Sequence, residues 1–183
     1  MNEIRGSGVV LRGFRPDEID LAMARMTTIP AVELDEERAR QRRERLERSG
    51  RRNGWEVLFA IESDGRLVGD VQGRCPDNAM PPGVWEIGIE LWDEADRGRG
   101  LGRAVVGLLS SHLFREEAAI RIQATTDVDN AAMRRALEAL RFGYEGVLRG
   151  FMPVADGPPR DYAMYGLTRD DWDNEKETWT PTS

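Results

Sequence analysis

The sequence predicts a single α/β domain (α+β mixed) built on a central mixed, mostly antiparallel twisted sheet with helices on its faces. Two strand-like runs, residues 55–61 and 66–74, are joined by an Asp-Gly pair, which is a strong hairpin signal. Later in the chain, strand-like runs alternate with segments whose apolar residues recur at helical spacing, as in helix crossovers. No repeat, linker or low-complexity tract divides the 183 residues, so we expect one domain over residues 1–172 and a polar C-terminal tail over 173–183.

The first half of the chain begins with a short strand and two helices. Residues 9–12 read as the strand, and Pro16 followed by two acids can open a helix that ends at residues 29–30. Residues 33–48 are dense in charge, and glutamates stand four residues before arginines, the favourable order in a helix. This second helix is either a solvated surface helix or an arginine-bearing rim over a cleft.

The second half predicts strands that alternate with helices. A loop covers residues 76–83, and the strand 85–92 comes after it. Beyond a glycine-rich loop we expect a helix, a strand, a second helix capped by Asp129 or Asn130, and two final strands. Their approximate limits are residues 101–113, 120–125, 132–140, 144–151 and 162–167.

The composition excludes several classes of protein. The formal net charge of -7 argues against nucleic-acid or anionic-membrane partners and favours a cationic ligand such as an amine. No run approaches the ~18 apolar residues that a membrane span requires, and no signal-peptide pattern opens the chain, so we expect a cytoplasmic protein. The single cysteine, Cys75, excludes an internal disulfide and a cysteine zinc cluster, and we predict no metal.

A glycine-rich loop between a predicted strand and a predicted helix carries the chemistry. Its glycines let the backbone turn tightly and approach a ligand, and amides at a helix N-terminus favour an anion. Its arginines suit phosphate oxygens. The pattern predicts a pyrophosphate site formed by Arg97, Gly98, Arg99, Gly100, Leu101, Gly102 and Arg103.

Two common phosphate loops are excluded by the residues after the last glycine. A Walker loop requires Lys-Ser/Thr there, and this chain has Arg103-Ala104. A dinucleotide fingerprint that starts at Gly98 would require glycine at position 103. From the residues alone, the remaining alternative is a glycine-rich turn that bears exposed arginines.

The loop and its flanks resemble a known family. Arg97-Gly98-Arg99-Gly100-Leu101-Gly102 is similar to the Arg/Gln-x-x-Gly-x-Gly/Ala signature of the GCN5-related N-acetyltransferases, the GNAT superfamily. Five further segments resemble its ribosomal-protein N-terminal (RimJ/RimL-like) acetyltransferases: residues 11–18, 129–133, 137–142, 145–151 and 160–172. The similarity extends over residues 9–172.

This resemblance implies a GNAT-like acyl-CoA N-acyltransferase fold with acetyl-CoA as cosubstrate. The strand that ends at Trp92 should diverge from the strand 120–125, and the pantetheine arm should lie in the gap. Main-chain groups around Glu90, Leu91 and Trp92 should bond the arm, while the glycine-loop amides hold the pyrophosphate. An asparagine that matches Asn130 reaches the cofactor arm in the family, and Asn130 can cap its helix at the same time.

Two glutamates are the predicted catalytic residues. Glu86 and Glu90 share one face of their strand by alternation, and the apolar residues between them take the core face. Glu90 lies next to the expected acetyl group and can take a proton from the amine, while Glu86 lies further out and suits a larger substrate. A backbone N–H near Leu91 can stabilise the developing oxyanion. Both carboxylates could instead be solvated or ion-paired, and Asp127 and Asp129 border the same cleft.

The sequence departs from its relatives at three positions, one of which is Arg141, where a glycine is usual. Met133 replaces a serine that many relatives carry, and Leu137 replaces a tyrosine that protonates the thiolate in others. The thiolate would then take its proton from water or from one of three tyrosines: Tyr144, Tyr162 or Tyr165.

Three functions remain on the sequence alone. The first is transfer of acetyl from acetyl-CoA to a protein N-terminus or small-molecule amine by direct attack in a ternary complex. The second is an inactive acyl-CoA-binding regulatory module, which the substitutions at Met133 and Leu137 favour. The third, a nucleic-acid adaptor on residues 38–52, is disfavoured by the net charge of -7. The acceptor pocket should involve loops 29–33 and 76–83, and a homodimer through a sheet edge is compatible with the pattern.

Overall fold

The structure, a computed structural model, describes residues 3–26 and 35–174. Within these ranges the strands are β1 (Ile4–Gly6), β2 (Val9–Arg12), β3 (Arg52–Asn53), β4 (Glu56–Ser63), β5 (Arg66–Arg74), β6 (Val84–Leu91), β7 (Arg121–Asp127), β8 (Gly143–Met152) and β9 (Arg160–Thr168). The helices are α1 (Ile19–Arg25), α2 (Glu36–Glu47), α3 (Leu101–Glu116), α4 (Ala131–Ala139) and α5 (Arg169–Asp173). Short 3-10 turns cover Pro16–Glu18 and Glu94–Asp96. The elements follow the predicted order, with β1, β3 and α5 as additions.

The strands join in one sheet with the order β1-β2-β4-β5-β6-β7-β9-β8, and β3 pairs with β4 at its side. Neighbouring strands are antiparallel except β6 and β7, which are parallel. Parallel neighbours require a crossover connection, and here α3 supplies it. The prediction of a mixed, mostly antiparallel sheet flanked by helices is confirmed.

Helices cover both faces of the sheet. On one face, Leu109 and Leu113 of α3 are fully buried in a large core with Trp85 of β6 and Ile122 of β7. On the opposite face a smaller apolar cluster joins α1, α2 and β4, and its buried members are Phe14, Ile19, Ala22, Leu46, Leu58 and Ala60. Across the described ranges, no helix is both long and apolar enough to cross a bilayer.

Several boundaries differ from the predicted ones. α2 begins at Glu36 because the Asp35 side chain accepts a hydrogen bond from the backbone N–H of Arg38 at 2.8 Å, which makes Asp35 the N-cap. α1 ends at Arg25, and the end predicted at residues 29–30 lies outside the described residues, as do residues 33–34 at the predicted start of α2. In the predicted tail, the described residues are Asp173, the last residue of α5, and Asn174.

A buried arginine ties the first strand to its neighbours. Arg12 is 4% exposed and donates to the carboxylates of Glu18 at 2.7 Å and Glu62 at 2.8 Å. These ion pairs hold the first 3-10 turn against β2 and β4. The hydrogen bond from Arg12 also keeps the pKa of Glu62 below its ordinary value.

β5 and β6 approach each other closely at Gly69. A Cβ atom at this position would lie 2.0 Å from the carbonyl oxygen of Glu90, far inside contact distance. Gly69 is the register partner of Leu91, and the next residue of β5, Asp70, is the partner of Glu90. The absence of a side chain at Gly69 therefore lets β5 lie directly against the end of β6.

Candidate active site

The two parallel strands separate before they end. Their register pairs run from Val84–Arg121 to Ile87–Ala124 and stop there. β6 continues to Leu91 and β7 to Asp127 without pairing to each other. A gap therefore opens between the carboxyl ends of β6 and β7, where the sequence led us to expect one.

Main-chain groups of β6 face this gap. The backbone N–H of Trp92 donates to the carbonyl of Val68 at 3.1 Å, so the main chain of Trp92 is directed toward β5. Since strand main-chain groups alternate in direction, the N–H and C=O of Leu91 point the other way, toward β7. In agreement, the Leu91 carbonyl accepts a hydrogen bond from Arg97 at 3.2 Å. Of the predicted arm-binding residues, Leu91 presents its main chain to the gap, whereas the amide of Trp92 is bonded within the sheet.

The glycine loop ends as the N-terminus of α3. Gly98 and Gly100 have φ of 73° and 84°, a left-handed backbone that other residues rarely adopt, and Gly100 is the N-cap. The first bond of the helix runs from the Ala104 N–H to the Gly100 carbonyl at 3.1 Å, so the three preceding amides have no acceptor within the helix. A Cβ atom on either Gly98 or Gly100 would meet nothing within 4 Å. The loop thus presents free amides beside open space.

A buried carboxylate orients the arginines around the loop. Asp96 is 1% exposed and accepts from Arg66 at 2.9 Å and from Arg99 at 3.4 Å. Arg97 is held by the Leu91 carbonyl, and Arg103 is exposed on the first turn of α3. Asp96 was not among the predicted site residues, because an acid before a glycine loop carries no signal of its own burial.

α4 packs against the start of α3, where the glycine loop ends. The Asn130 side chain accepts from the Met133 N–H at 3.1 Å, which confirms the predicted cap and leaves its amide NH₂ free of that bond. Met133 itself faces the loop, since a Cβ on Gly102 would lie 3.8 Å from its Cε. The residue that replaces the family serine is therefore an apolar contact between α4 and α3.

A comparison with family models identifies the domain. The model of the acetyltransferase (GNAT) domain matches residues 9–143, which is more than half of the chain. The chain belongs to the GNAT family of acetyltransferases. No curated protein matched the sequence of this GNAT protein.

Solved structures share the fold of this GNAT domain. Mycobacterium smegmatis RimJ in complex with CoA-disulfide has a TM-score of 0.71, at 20% identity over 93% of this chain and 87% of that chain. RimL, a ribosomal L7/L12 alpha-N-protein acetyltransferase in complex with coenzyme A, has a TM-score of 0.72, at 19% identity over 93% and 99%. The ribosomal-protein-S5-alanine acetyltransferase from Vibrio fischeri has a TM-score of 0.72, at 17% identity over 94% and 99%. These three neighbours share the fold of this chain at TM-scores of 0.71 to 0.72.

The two predicted catalytic glutamates occupy different places in this GNAT domain. Glu86 lies where β6 still pairs with β7, opposite Gln123, and its carboxylate accepts from Arg74 at 2.7 Å. Glu90 is partly buried on the stretch of β6 that borders the gap. At ~3.3 Å per residue, the two lie roughly 13 Å apart along the strand. The geometry favours Glu90 as the residue nearest the gap, with Glu86 as an ion-paired side chain further away.

A third carboxylate, which the sequence analysis missed, lies beside Glu90. Asp70 is 4% exposed and is the register partner of Glu90 across the β5–β6 pair. Its Oδ2 accepts from the indole Nε1 of Trp92 at 3.1 Å. Burial raises the pKa of Asp70 to about 7, and the charge of Glu90 adds to the effect, while the hydrogen bond from Trp92 opposes it.

The burial of Asp70 predicts a pH-dependent cost in stability. Because its folded-state pKa of about 7 lies above the ordinary 3.8, the folded protein binds this proton more tightly than the unfolded chain. The group therefore costs nothing below about pH 4, and the cost grows to about 4 kcal/mol above about pH 7. We expect Asp70→Asn to raise Tm at about pH 8 and to leave it near wild type at about pH 4, measured by thermal denaturation. A variant less stable than wild type at both pH values would contradict this.

The tyrosines that could replace the missing proton donor are not equivalent. The hydroxyl of Tyr165 donates to Glu138 at 3.0 Å and accepts from Arg134 at 3.2 Å, and its ring is fully buried. Tyr144 is 54% exposed on β8, the last strand of the sheet. Tyr162 pairs in register with Asp127 at the end of β7, beside the gap, and burial raises its pKa. Of the three, Tyr162 alone combines proximity to the gap with a hydroxyl outside the core.

The carboxyl end of β7 also borders an acidic pocket. It has a volume of about 530 Å³ and is lined by Asp127, Asp129, Asp156, Asp161 and Arg160, among others. Asp127 accepts from Arg160 at 2.9 Å, and the backbone N–H of Asp129 together with Arg160 keeps the pKa of Asp127 below its ordinary value. The predicted acceptor loop 76–83 lies at the other end of β6, and the loop 29–33 lies outside the described residues.

Proposed function

We propose that this protein is an acetyl-CoA-dependent N-acetyltransferase that transfers acetyl to a primary amine, either a protein N-terminus or a small-molecule amine. The observation that carries the proposal is that two binding features lie at the same gap. The main chain of Leu91 faces the gap between β6 and β7, and the free amides of the α3 N-terminus stand at the end of the same gap.

The donor set of this region fits acetyl-CoA. The amides of Leu101, Gly102 and Arg103 would hold the pyrophosphate, since free amides at a helix N-terminus favour anions. The positive φ at Gly98 and Gly100, with open space where Cβ atoms would be, supports close approach of phosphate oxygens. The main chain of Leu91 and the free NH₂ of Asn130 would bond the pantetheine amides. Acetyl-CoA supplies the activated acetyl group as cosubstrate.

The residues of the chain divide the chemistry among them. An amine attacks only when unprotonated, so a carboxylate must take the ammonium proton, and Glu90 borders the gap. The Leu91 N–H would stabilise the oxygen of the reacting carbonyl, because its direction is fixed by the sheet. Tyr162, or a water molecule, would relay the second amine proton to the leaving thiolate. No covalent enzyme intermediate is required.

Two findings bear on the class of acceptor. The pocket at the end of β7 is lined by four aspartates and one arginine, which suits an ammonium or a basic peptide. Two neighbours in fold are named as acetyltransferases of ribosomal proteins, RimL and the S5-alanine enzyme. We therefore rank a protein N-terminal amine first and a small polyamine second among acceptors.

The test is an acetyl-transfer assay with a defined panel of amines. The protein is incubated with acetyl-CoA and short peptides with Ala, Ser or Met N-termini, or with polyamines, and both released thiol and the mass of the acceptor are measured. We expect turnover on at least one panel member, with thiol release equal to acetylated product. Tight acetyl-CoA binding without turnover on any amine would favour the regulatory module that the substitutions at Met133 and Leu137 point to.

A further inference from the structure

We propose that Asp70 acts through Glu90 as a positioning residue of the acceptor site. Asp70 holds the proton that Glu90 removes from the acceptor ammonium. This inference rests on the proposed function, because it concerns the same reaction. It adds a residue that lies on a different strand from the two predicted glutamates and that no glycine-loop motif identifies.

The geometry of the sheet brings the two carboxylates together. Asp70 on β5 and Glu90 on β6 are direct register partners, and the bond between Trp92 and Val68 two residues away makes them a hydrogen-bonded pair. Their Cα atoms are therefore about 5.5 Å apart, and both side chains leave the same face of the sheet. Gly69 keeps this approach close, since a side chain there would collide with the Glu90 carbonyl.

Among the described residues, the Asp70 carboxylate forms no ion pair. Arg45 and Arg42 of α2 are the cations whose charges act on Asp70, and both lower its pKa. Arg45 donates to Glu56 and to Gln72, and Arg42 donates to the Met26 carbonyl at 3.2 Å.

Within the part of the chain that the structure describes, the other elements around Asp70 bring one donor and no cation. β6 contributes Glu90 and the Trp92 indole, and Ala60 of β4 is the apolar partner opposite. α1 contributes buried apolar residues to the same face. The one hydrogen bond described for Asp70 is the bond from Trp92.

The environment of Asp70 suits a group that takes up and releases a proton reversibly. A carboxylate opposite another carboxylate, buried without an ion pair, resists ionisation, and a general base works best when its pKa is near the working pH. The pKa of Asp70, raised to about 7 by burial, falls in that range. We also expect ionised Asp70 to lower stability at neutral pH, so structural need does not explain its presence.

The proton balance is complete with these two groups. The acceptor R–NH₃⁺ gives one proton to Glu90, and that proton passes to Asp70, where an O–H bond forms. The free R–NH₂ then attacks the thioester carbonyl, the C–S bond breaks, and the second amine proton goes to sulfur to give the thiol. Asp70 releases its proton to solvent through Glu90 before the next turnover.

The experiment is the pH profile of kcat/KM for acetyl transfer in four proteins: wild type, Asp70→Asn, Trp92→Phe and Glu62→Gln. Wild type should show an acidic limb with a midpoint near pH 7. Asp70→Asn should lose that limb and fall about 10- to 100-fold in kcat/KM at about pH 8. Trp92→Phe removes the hydrogen bond that favours ionised Asp70, so the limb should move up by about half to one pH unit.

Glu62→Gln is the matched control, because it removes a partly buried carboxylate from the same face of the sheet that, unlike Asp70, is paired with Arg12. Its limb should stay at the wild-type pH. Loss of activity in Asp70→Asn with an unchanged limb, or no movement of the limb in Trp92→Phe, would overturn the proposal. Failure of the proposed function itself is distinguishable, since wild type would then show no turnover at any pH.

Discussion

Replacement of Gly100 by glutamate is expected to abolish the stabilisation of the protein by acetyl-CoA. At roughly 100 times its dissociation constant, a ligand adds about 2.7 kcal/mol of stability, which is about 5–10 °C in Tm for a chain of this size. The variant places a carboxylate among the free amides at the start of α3, where a phosphate would bind, and forces a side chain onto a backbone with φ of 84°. Tm is measured with and without acetyl-CoA in both proteins.

Gly54→Glu is the matched control for this prediction. Gly54 also has a positive φ, 62°, and nothing lies within 4 Å of its Cβ position, but it lies in the turn before β4, away from the gap. Both variants should lose similar stability without ligand, on the order of 1–2 kcal/mol. Only Gly54→Glu should keep the full upward shift. Equal shifts in the two variants would place the cofactor elsewhere.

Glu90→Gln is expected to reduce kcat/KM for the amine by about 10²- to 10⁴-fold, the usual contribution of a positioned acid or base. Glutamine keeps the shape of the side chain but cannot take a proton from the acceptor ammonium. Because the glycine loop is untouched, the Tm shift with acetyl-CoA should equal that of wild type. Steady-state kinetics at saturating acetyl-CoA, with thiol release as the readout, measure the effect.

Two other variants make the Glu90 result specific. Glu145→Gln removes a carboxylate from β8 that is paired with Arg121 at 2.8 Å, and it should leave kcat/KM within a few-fold of wild type. Glu86→Gln tests the second predicted glutamate, whose carboxylate is held by Arg74. A loss in Glu86→Gln as large as that in Glu90→Gln would move the catalytic role away from the gap and contradict our assignment.

Local signals in the sequence were sufficient for much of the fold. The β4–β5 hairpin follows from an Asp-Gly turn, and Asp64 and Gly65 do adopt positive φ values of 51° and 73°. The glycine loop was predicted because conformational freedom and charge are both readable from residue types. β1 and β3 were missed because strands of three and two residues are too short to show alternation.

The site could be predicted only in part, because burial is decided by distant segments. Asp70 reads as a polar residue of an alternating strand, and α2 reads either as a solvated helix or as an arginine-bearing rim over a cleft. In the fold, α2 lies over this face of the sheet, and Arg45 is hydrogen-bonded to Glu56 and Gln72. Asp96 is similar, since its burial depends on Arg66 from β5, thirty positions earlier. These contacts join residues far apart in sequence, so local residue spacing does not predict them.

The short ladder between β6 and β7 has a consequence for the order of binding. The four register pairs from Val84–Arg121 to Ile87–Ala124 join the β1–β6 part of the sheet to the β7–β9 part, and the next stretch is open. In the proposed reaction, the pantetheine arm occupies the place of the missing pairs and becomes one wall of the acceptor site. If this proposal is correct, the acceptor finds a complete surface only after acetyl-CoA has bound, and we expect ordered kinetics with the thioester first and the amine second.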